Sequence, residues 1–236
     1  MTDYNPNSRR YWLFIFLAGL FVTNAITAEL ISNKLVEIPF SFSLFGKQFG
    51  PFVTIVGILP WPVVFLLTDL INEFYGQKAI RRLSWITAVL ISYCFVIVLI
   101  ALHVNTKEIP GSGLATDEEF RKVFGQAPWV IAGSITAFLF SQILDATLFH
   151  RIKQWTGNKY IGLRSTGSTM VSQLFDSYIV LYIGFVLPGR MSWSDYMSIA
   201  PTNYILKLII AISLTPLIYL GHYAVRRYLA SEGTGT

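Results

Sequence analysis

The chain has 236 residues, 53% of them hydrophobic and only 13% charged, where a soluble domain carries about 25% charged residues. That deficit excludes an ordinary water-exposed domain and makes a lipid bilayer the expected solvent. The formal net charge of +5 is read as the Lys/Arg excess of cytoplasmic loops rather than as a nucleic-acid-binding surface.

A spanning helix needs about 20 mostly apolar residues. Six such runs occur in chain order, at 12–31, 52–72, 83–102, 129–150, 169–187 and 204–223. The expected fold class is an all-α integral membrane protein: six transmembrane helices in a single domain over 1–236. Arg9 and Arg10 precede the first run, as in a signal peptide. Its length and the lack of a clean small-x-small cleavage site argue for a retained helix. One set of connections holds Arg9, Arg10, Lys78, Arg81, Arg82, Arg151, Lys153, Lys159, Arg164, Arg226 and Arg227 with few acids. The other holds fewer cations, balanced by acids. The positive-inside rule then puts both termini in the cytoplasm.

The first external connection, "LVEIPFSFSLFGKQFGPF", alternates Phe40, Phe42 and Leu44 with Ser41 and Ser43, which predicts a short β-hairpin-like segment. Pro60 and Pro62 then predict a kink or break in the second span. In transporters such breaks expose backbone groups at binding sites, and a plain proline kink is an equally good reading. Cys94, the one cysteine, sits in the third apolar run and is read as a small packing residue. In the longest connection, "PGSG" marks a turn. "TDEEFRKVFGQAP" predicts a short interfacial helix with Thr116 and Glu119 at capping-box spacing. The next, "HRIKQWTGNKYIGLRSTGST", is basic, and its Ser165–Thr169 cluster is expected to cap the fifth helix. The final "SEGTGT" reads as a disordered tail.

The informative residues are the polar ones inside apolar runs, since an Asp at a helix centre costs about 2.5–3.5 kcal/mol on insertion scales. They are Glu29, Asp69, Glu73, Asp145, Asp176 and Lys207, with Asn24, Asn72, Gln142, Gln173 and Asn203. "SQILDA" (141–146) and "SQLFDS" (172–177) each place Gln and Asp at i and i+3, on one helix face. The two helices are antiparallel, so Gln142, Asp145, Gln173 and Asp176 are expected at matched depth. Asp69 and Glu73 lie at i and i+4 near the inner end of the second span, within range of Arg81 or Arg82. Glu29 and Lys207 are expected to pair toward the outer end. His103, His150 and His222 fall near span ends without metal-ligand spacing. No metal or cofactor is expected, and no inverted repeat relates the two halves.

A carboxylate accepts paired hydrogen bonds from an N–H/NH₂ edge, an amide suits a carbonyl beside a ring N–H, and aromatic rings stack. With 18 Phe, 12 Tyr and 6 Trp available, the inventory fits a planar polar heterocycle. It fits a cation or a proton path equally well, and hydrogen bonds that merely bridge helices are the structural alternative.

"TDLINEFYGQKAIRR" (68–82), "SQILDATLF" (141–149) and "RSTGSTMVSQLFDS" (164–177) together resemble the bacterial queuosine precursor transporter family, over almost the whole chain. The resemblance implies uptake of 7-cyano-7-deazaguanine or 7-aminomethyl-7-deazaguanine across the inner membrane for tRNA queuosine salvage. The matching residues are Asp69, Asn72, Glu73, Tyr75, Gly76, Gln142, Asp145, Arg164, Ser172, Gln173 and Asp176. On this reading Gln142, Asp145, Gln173, Asp176, Trp61 and Asn72 are the expected substrate contacts. Asp69, Glu73, Arg164, Glu29 and Lys207 are expected to gate or brace. The expected partners are a small 7-deazaguanine and the bilayer, with a homodimer left open and nucleic acid excluded. The alternatives are a substrate-capture subunit of an ATP-driven vitamin-type system and, more remotely, an intramembrane aspartyl protease. The protease reading lacks its GxGD motif.

Overall fold

The computed structural model describes residues 8–44, 46–107, 113–157 and 160–231. The turn expected at 110–112, Lys159 and the tail at 232–236 lie outside the described residues. The helices are α1 (Arg9–Leu30), α2 (Trp61–Tyr75), α3 (Gln77–Ala101), α4 (Asp117–Phe124), α5 (Pro128–Thr156), α6 (Ile161–Leu181), α7 (Trp193–Ser213) and α8 (Thr215–Ala230). Six helices are long and apolar enough to cross a membrane: α1, α2 with the 3-10 turn before it, α3, α5, α6 with the π turn after it, and α7.

Helix faces follow the residue period. On α1 the buried Leu17, Phe21, Ala25 and Ala28 recur every three or four residues. Leu17, Phe21 and Ala25 pack with Val64, Leu67 and Ile71 of α2, Ile80, Ala88 and Ile91 of α3, and Phe138 and Ala146 of α5. The outer face of α3 carries Trp85, Ile86, Val89, Tyr93 and Val96, all more than half exposed, as a lipid-facing surface requires. Buried among the helices, by contrast, is a large polar set.

Several element boundaries differ from the hydropathy reading. Pro60 and Pro62 do not kink a helix. They start one, standing at the N-cap and first turn of α2, where a missing N–H costs nothing. Phe52–Ile55, expected inside the second span, is a β-strand. Four strands join α1 to α2: β1 (Leu35–Ile38), β2 (Phe42–Leu44), β3 (Lys47–Phe49) and β4 (Phe52–Ile55). β1 pairs antiparallel with β4, and β2 with β3. Phe52 drops from β4 against Leu206 of α7, which fastens the strands to the bundle. The fifth span begins eight residues earlier than expected, at Ile161. Its Ser165–Thr169 cluster is therefore inside α6 and caps nothing. The sixth expected span is divided between α7 and α8, with Pro216 in the first turn of α8.

Two glycines are required by geometry. Gly76, at φ 85°, is the single residue between α2 and α3 and reverses the chain in a conformation that L side chains rarely adopt. Gly133 of α5 lies against Gly184 of the π turn, and a Cβ there would stand 3.0 Å from the Gly184 nitrogen and the Val180 oxygen. The start of α1 meets the end of α8: Arg9 donates to Ser231 Oγ and lies over the Tyr228 ring. The bundle thus has a termini end and, opposite it, a strand end. The α5–α6 contact predicts that Gly133→Val costs about 1–3 kcal/mol, to be read as a lowered thermal midpoint of the detergent-solubilised protein.

Candidate functional site

The buried polar residues form a file running the length of the bundle. α5 contributes Ser134, Ser141, Gln142 and Asp145, at i, i+7, i+8 and i+11. α6 contributes Arg164, Ser165, Ser168, Thr169, Ser172, Gln173 and Asp176, again at helical spacing. α2 adds Thr68, Asp69, Asn72 and Glu73, all on its buried side.

The two SQxxD motifs meet reciprocally. Ser141 Oγ of the first donates to Asp176 Oδ1 of the second at 3.3 Å, and Ser172 Oγ of the second donates to Asp145 Oδ1 of the first at 3.2 Å. Antiparallel packing of α5 and α6 makes the motif its own partner. Because each Asp faces the other motif's Ser, the two carboxylates are staggered along the axis rather than level. Asp145 Oδ1 also accepts from Ser168 at 3.0 Å and Thr169 at 3.1 Å.

Gln142 and Gln173 lie on the stretch of α5 and α6 between these contacts. Thr68 Oγ1 donates to Gln142 Oε1 at 3.0 Å. The same hydroxyl lies 2.8 Å from the Val64 carbonyl and has one proton for the two acceptors; with the Gln142 oxygen toward Thr68, its Nε2 has no partner among the described residues. Gln173 is 4% exposed, yet its amide has no hydrogen-bond partner among the described residues. One turn toward the strand end, Trp61 stacks on Phe65 with ring centres 6.0 Å apart and lies 5.9 Å from Phe138.

Toward the termini end, Ser165 Oγ donates to Asp69 Oδ2, and Asn72 Nδ2 donates to the Ala146 carbonyl at 3.2 Å. Next comes an ionic cluster on Glu73. Arg164 reaches one oxygen at 2.7 Å and Lys153 the other at 3.0 Å, with His222 Nε2 3.7 Å away. Arg164 is 1% exposed, also donates to the Gly157 carbonyl, and covers the Phe149 ring.

Three sequence expectations are corrected here. Glu29 does not pair with Lys207. Lys207 takes Asp176, while Glu29 accepts from Ser134 at 2.6 Å. The exchange follows from α6 packing between α5 and α7, which brings Asp176 to the lysine. Glu73 pairs with Arg164 and Lys153, not with Arg81 or Arg82; Arg81 instead donates to Thr147 at 3.1 Å. His222, expected only as a span-end residue, lies inside the bundle against Phe74 and beside Glu73. What the sequence reading missed are the contacts of the Thr68, Ser165, Ser168 and Thr169 hydroxyls, and it named Ser172 only as a match to the family motif. The available signal was a Ser or Thr every three to four residues of an otherwise apolar helix.

A family model described as "Putative vitamin uptake transporter" matches residues 55–221, which covers the whole file except Glu29. A "Probable queuosine precursor transporter" of Bacillus subtilis (strain 168) is 30% identical over 216 residues, 91% of this chain and 86% of that protein. The chain belongs to the queuosine precursor transporter family. The "Queuosine precursor transporter" of Escherichia coli (strain K12) is 27% identical over 84% of this chain and 81% of its own length. A further relative in Haemophilus influenzae, named "Probable queuosine precursor transporter", is 26% identical over 89% of this chain and 85% of its own length. No solved structure matches. Membership together with six spanning helices makes the chain a multi-pass bacterial membrane protein, in a family whose named members are transporters rather than enzymes.

The Asp176–Lys207 pair can be tested for mutual dependence. Lys207→Met strands a carboxylate in the bundle and is expected to cost about 2–4 kcal/mol. Adding Asp176→Asn should restore most of the loss in thermal midpoint, because the stranded charge is then gone.

Proposed function

We propose that the chain imports a 7-deazaguanine queuosine precursor, 7-cyano-7-deazaguanine or 7-aminomethyl-7-deazaguanine, across the bacterial inner membrane for tRNA queuosine salvage. The names of its relatives support this reading. The observation that carries it to particular atoms is the pair of buried amides, Gln142 with its Nε2 uncommitted and Gln173 wholly uncommitted.

A deazaguanine presents a carbonyl, a ring N–H and an exocyclic NH₂ along one edge. With its oxygen toward Thr68, Gln142 donates from its free end and is assigned the carbonyl. Gln173 both donates and accepts and is assigned the adjoining ring N–H. Asp176 or Asp145 takes the amine side of the edge, Trp61 stacks on the ring, and Asn72 backs the pocket. Burying a base among unpartnered amides is selective, because an analogue lacking the matching group leaves them unsatisfied.

Gln173→Met removes no hydrogen bond that the protein makes with itself, so the variant should reach the membrane at wild-type level. Uptake of limiting precursor is expected to fall about tenfold, the value of one ligand hydrogen bond of roughly 1.4 kcal/mol. The readout is tRNA queuosine in a host that neither synthesises nor otherwise imports the precursor, and unimpaired uptake would reject the pocket. Both termini are assigned to the cytoplasm from the Lys/Arg asymmetry. A C-terminal reporter that works only in the cytoplasm should therefore be active.

A further inference from the structure

Two charged layers cross the bundle, and in each the acids outnumber the basic groups that pair with them. Toward the strand end, Glu29 and Asp176 are served by Lys207, which pairs with Asp176. Toward the termini end, Asp69, Glu73 and Asp145 are served by Arg164 and Lys153, both of which are spent on Glu73. Neither Asp69 nor Asp145 has an ion-pair partner among the described residues. They are 2% and 5% exposed and lie within electrostatic reach of one another. Two such carboxylates in a membrane interior are not both left bare.

A second observation is independent of this charge count. Asp69 Oδ1 and Asn72 Oδ1 are buried without a hydrogen-bond partner among the described residues. Asn72 is 4% exposed, and it stands three residues after Asp69, on the same side of α2. Its Nδ2 is committed to the Ala146 carbonyl, beside Asp145. The amide oxygen is therefore held at the α2–α5 wall with nothing to accept from.

We propose that Asp69, Asp145 and the side-chain oxygen of Asn72 bind a small monovalent cation, a proton or a sodium ion, that is taken up and released with the transported substrate. The donors are all hard oxygens, which suit both bearers and no soft metal. The surrounding hydroxyls can follow the charge. Ser168 and Ser172 donate to Asp145 but also lie 3.1 Å from the Ser165 and Thr169 carbonyls. Each can turn its proton to the backbone and offer a lone pair instead. Asp145 is three residues from Gln142, about 4.5 Å along the helix, so cation and base would occupy neighbouring turns. Only the coupling to substrate rests on the transport reading. Cation binding is measured without substrate.

The charged and titratable groups facing the site are Glu73 from α2, Lys153 from α5, Arg164 from α6, and His222 with Arg226 from α8. The test uses the purified full-length protein in detergent. Its thermal midpoint is followed in two series: sodium chloride replacing choline chloride at pH 8, and pH 8 to 5.5 in choline chloride. An unfolded carboxylate takes a proton only near pH 4, so a cation bound by the folded state should raise the midpoint by a few degrees. A rise in the first series identifies sodium, and a rise in the second identifies a proton. Asp69→Asn and Asp145→Asn are neutral isosteres that imitate the loaded site. Each should be at least as stable as the loaded wild type and flat in the responding series. His222→Gln should keep the response. A wild type flat in both series overturns the proposal. So does an Asp→Asn variant that keeps the wild-type response or is destabilised throughout, and so does loss of the response in His222→Gln. Loss of precursor uptake with the cation response intact would instead count against the proposed substrate alone.

Discussion

Charge inside a bilayer has to be neutralised by the bundle itself, and this constraint organises the molecule. Lipid tails are as apolar as leucine, so apolar contact gives helices little reason to associate. The polar file supplies that reason. Each of its acids faces a partner on a neighbouring helix: Glu29 with Ser134, Asp176 with Lys207, Asp145 with three hydroxyls of α6, Asp69 with Ser165, and Glu73 with Arg164 and Lys153. These contacts tie α1, α2, α5, α6 and α7 together, while the exposed apolar residues of α3 face lipid.

The same constraint separates bracing from recognition. Glu73 has every oxygen committed to a cation, and Arg164 is sealed behind Phe149. These residues hold α2, α5 and α6 at the termini end. Among the described residues, groups with capacity left over are the Gln173 amide, the Gln142 nitrogen and the buried oxygens of Asp69 and Asn72, and beside Glu73 the Arg164 Nε and His222 Nε2 are unpartnered as well. A buried polar atom without a partner is unfavourable unless something else completes it. The unfinished stretch of the file is therefore where a ligand has most to gain.

The reciprocal SQxxD contact shows how little sequence such a site needs. One five-residue pattern, placed on two antiparallel neighbours, meets itself across the interface. Ser serves the opposite Asp in both directions, and the two Gln residues are carried to the space between. This is a local pairing of α5 with α6 and involves no repeat of the two halves of the chain.

Apolar run length and the energetic cost of intramembrane charge were enough to read six spans and a polar interior from the sequence. Those quantities depend on composition along a single helix. The same arithmetic identified Gln142, Asp145, Gln173, Asp176, Asp69 and Glu73 as residues that need a reason to be there, whereas Arg164 read as a loop cation and was singled out only by the family resemblance. Which partner each one takes depends on neighbours distant in sequence, so the Glu29–Lys207 and Glu73–Arg81/Arg82 pairings were not legible. The prolines at 60 and 62 read as a kink because a hydropathy window cannot distinguish a strand and a 3-10 turn from the start of a helix. The hydroxyls of α6 looked like caps because only the packed bundle shows that α6 begins at Ile161 and turns Ser165, Ser168, Thr169 and Ser172 toward two acids. Sequence by itself determined that charge is buried in this protein; tertiary structure decided how it is shared, because pairing is a property of helix–helix register.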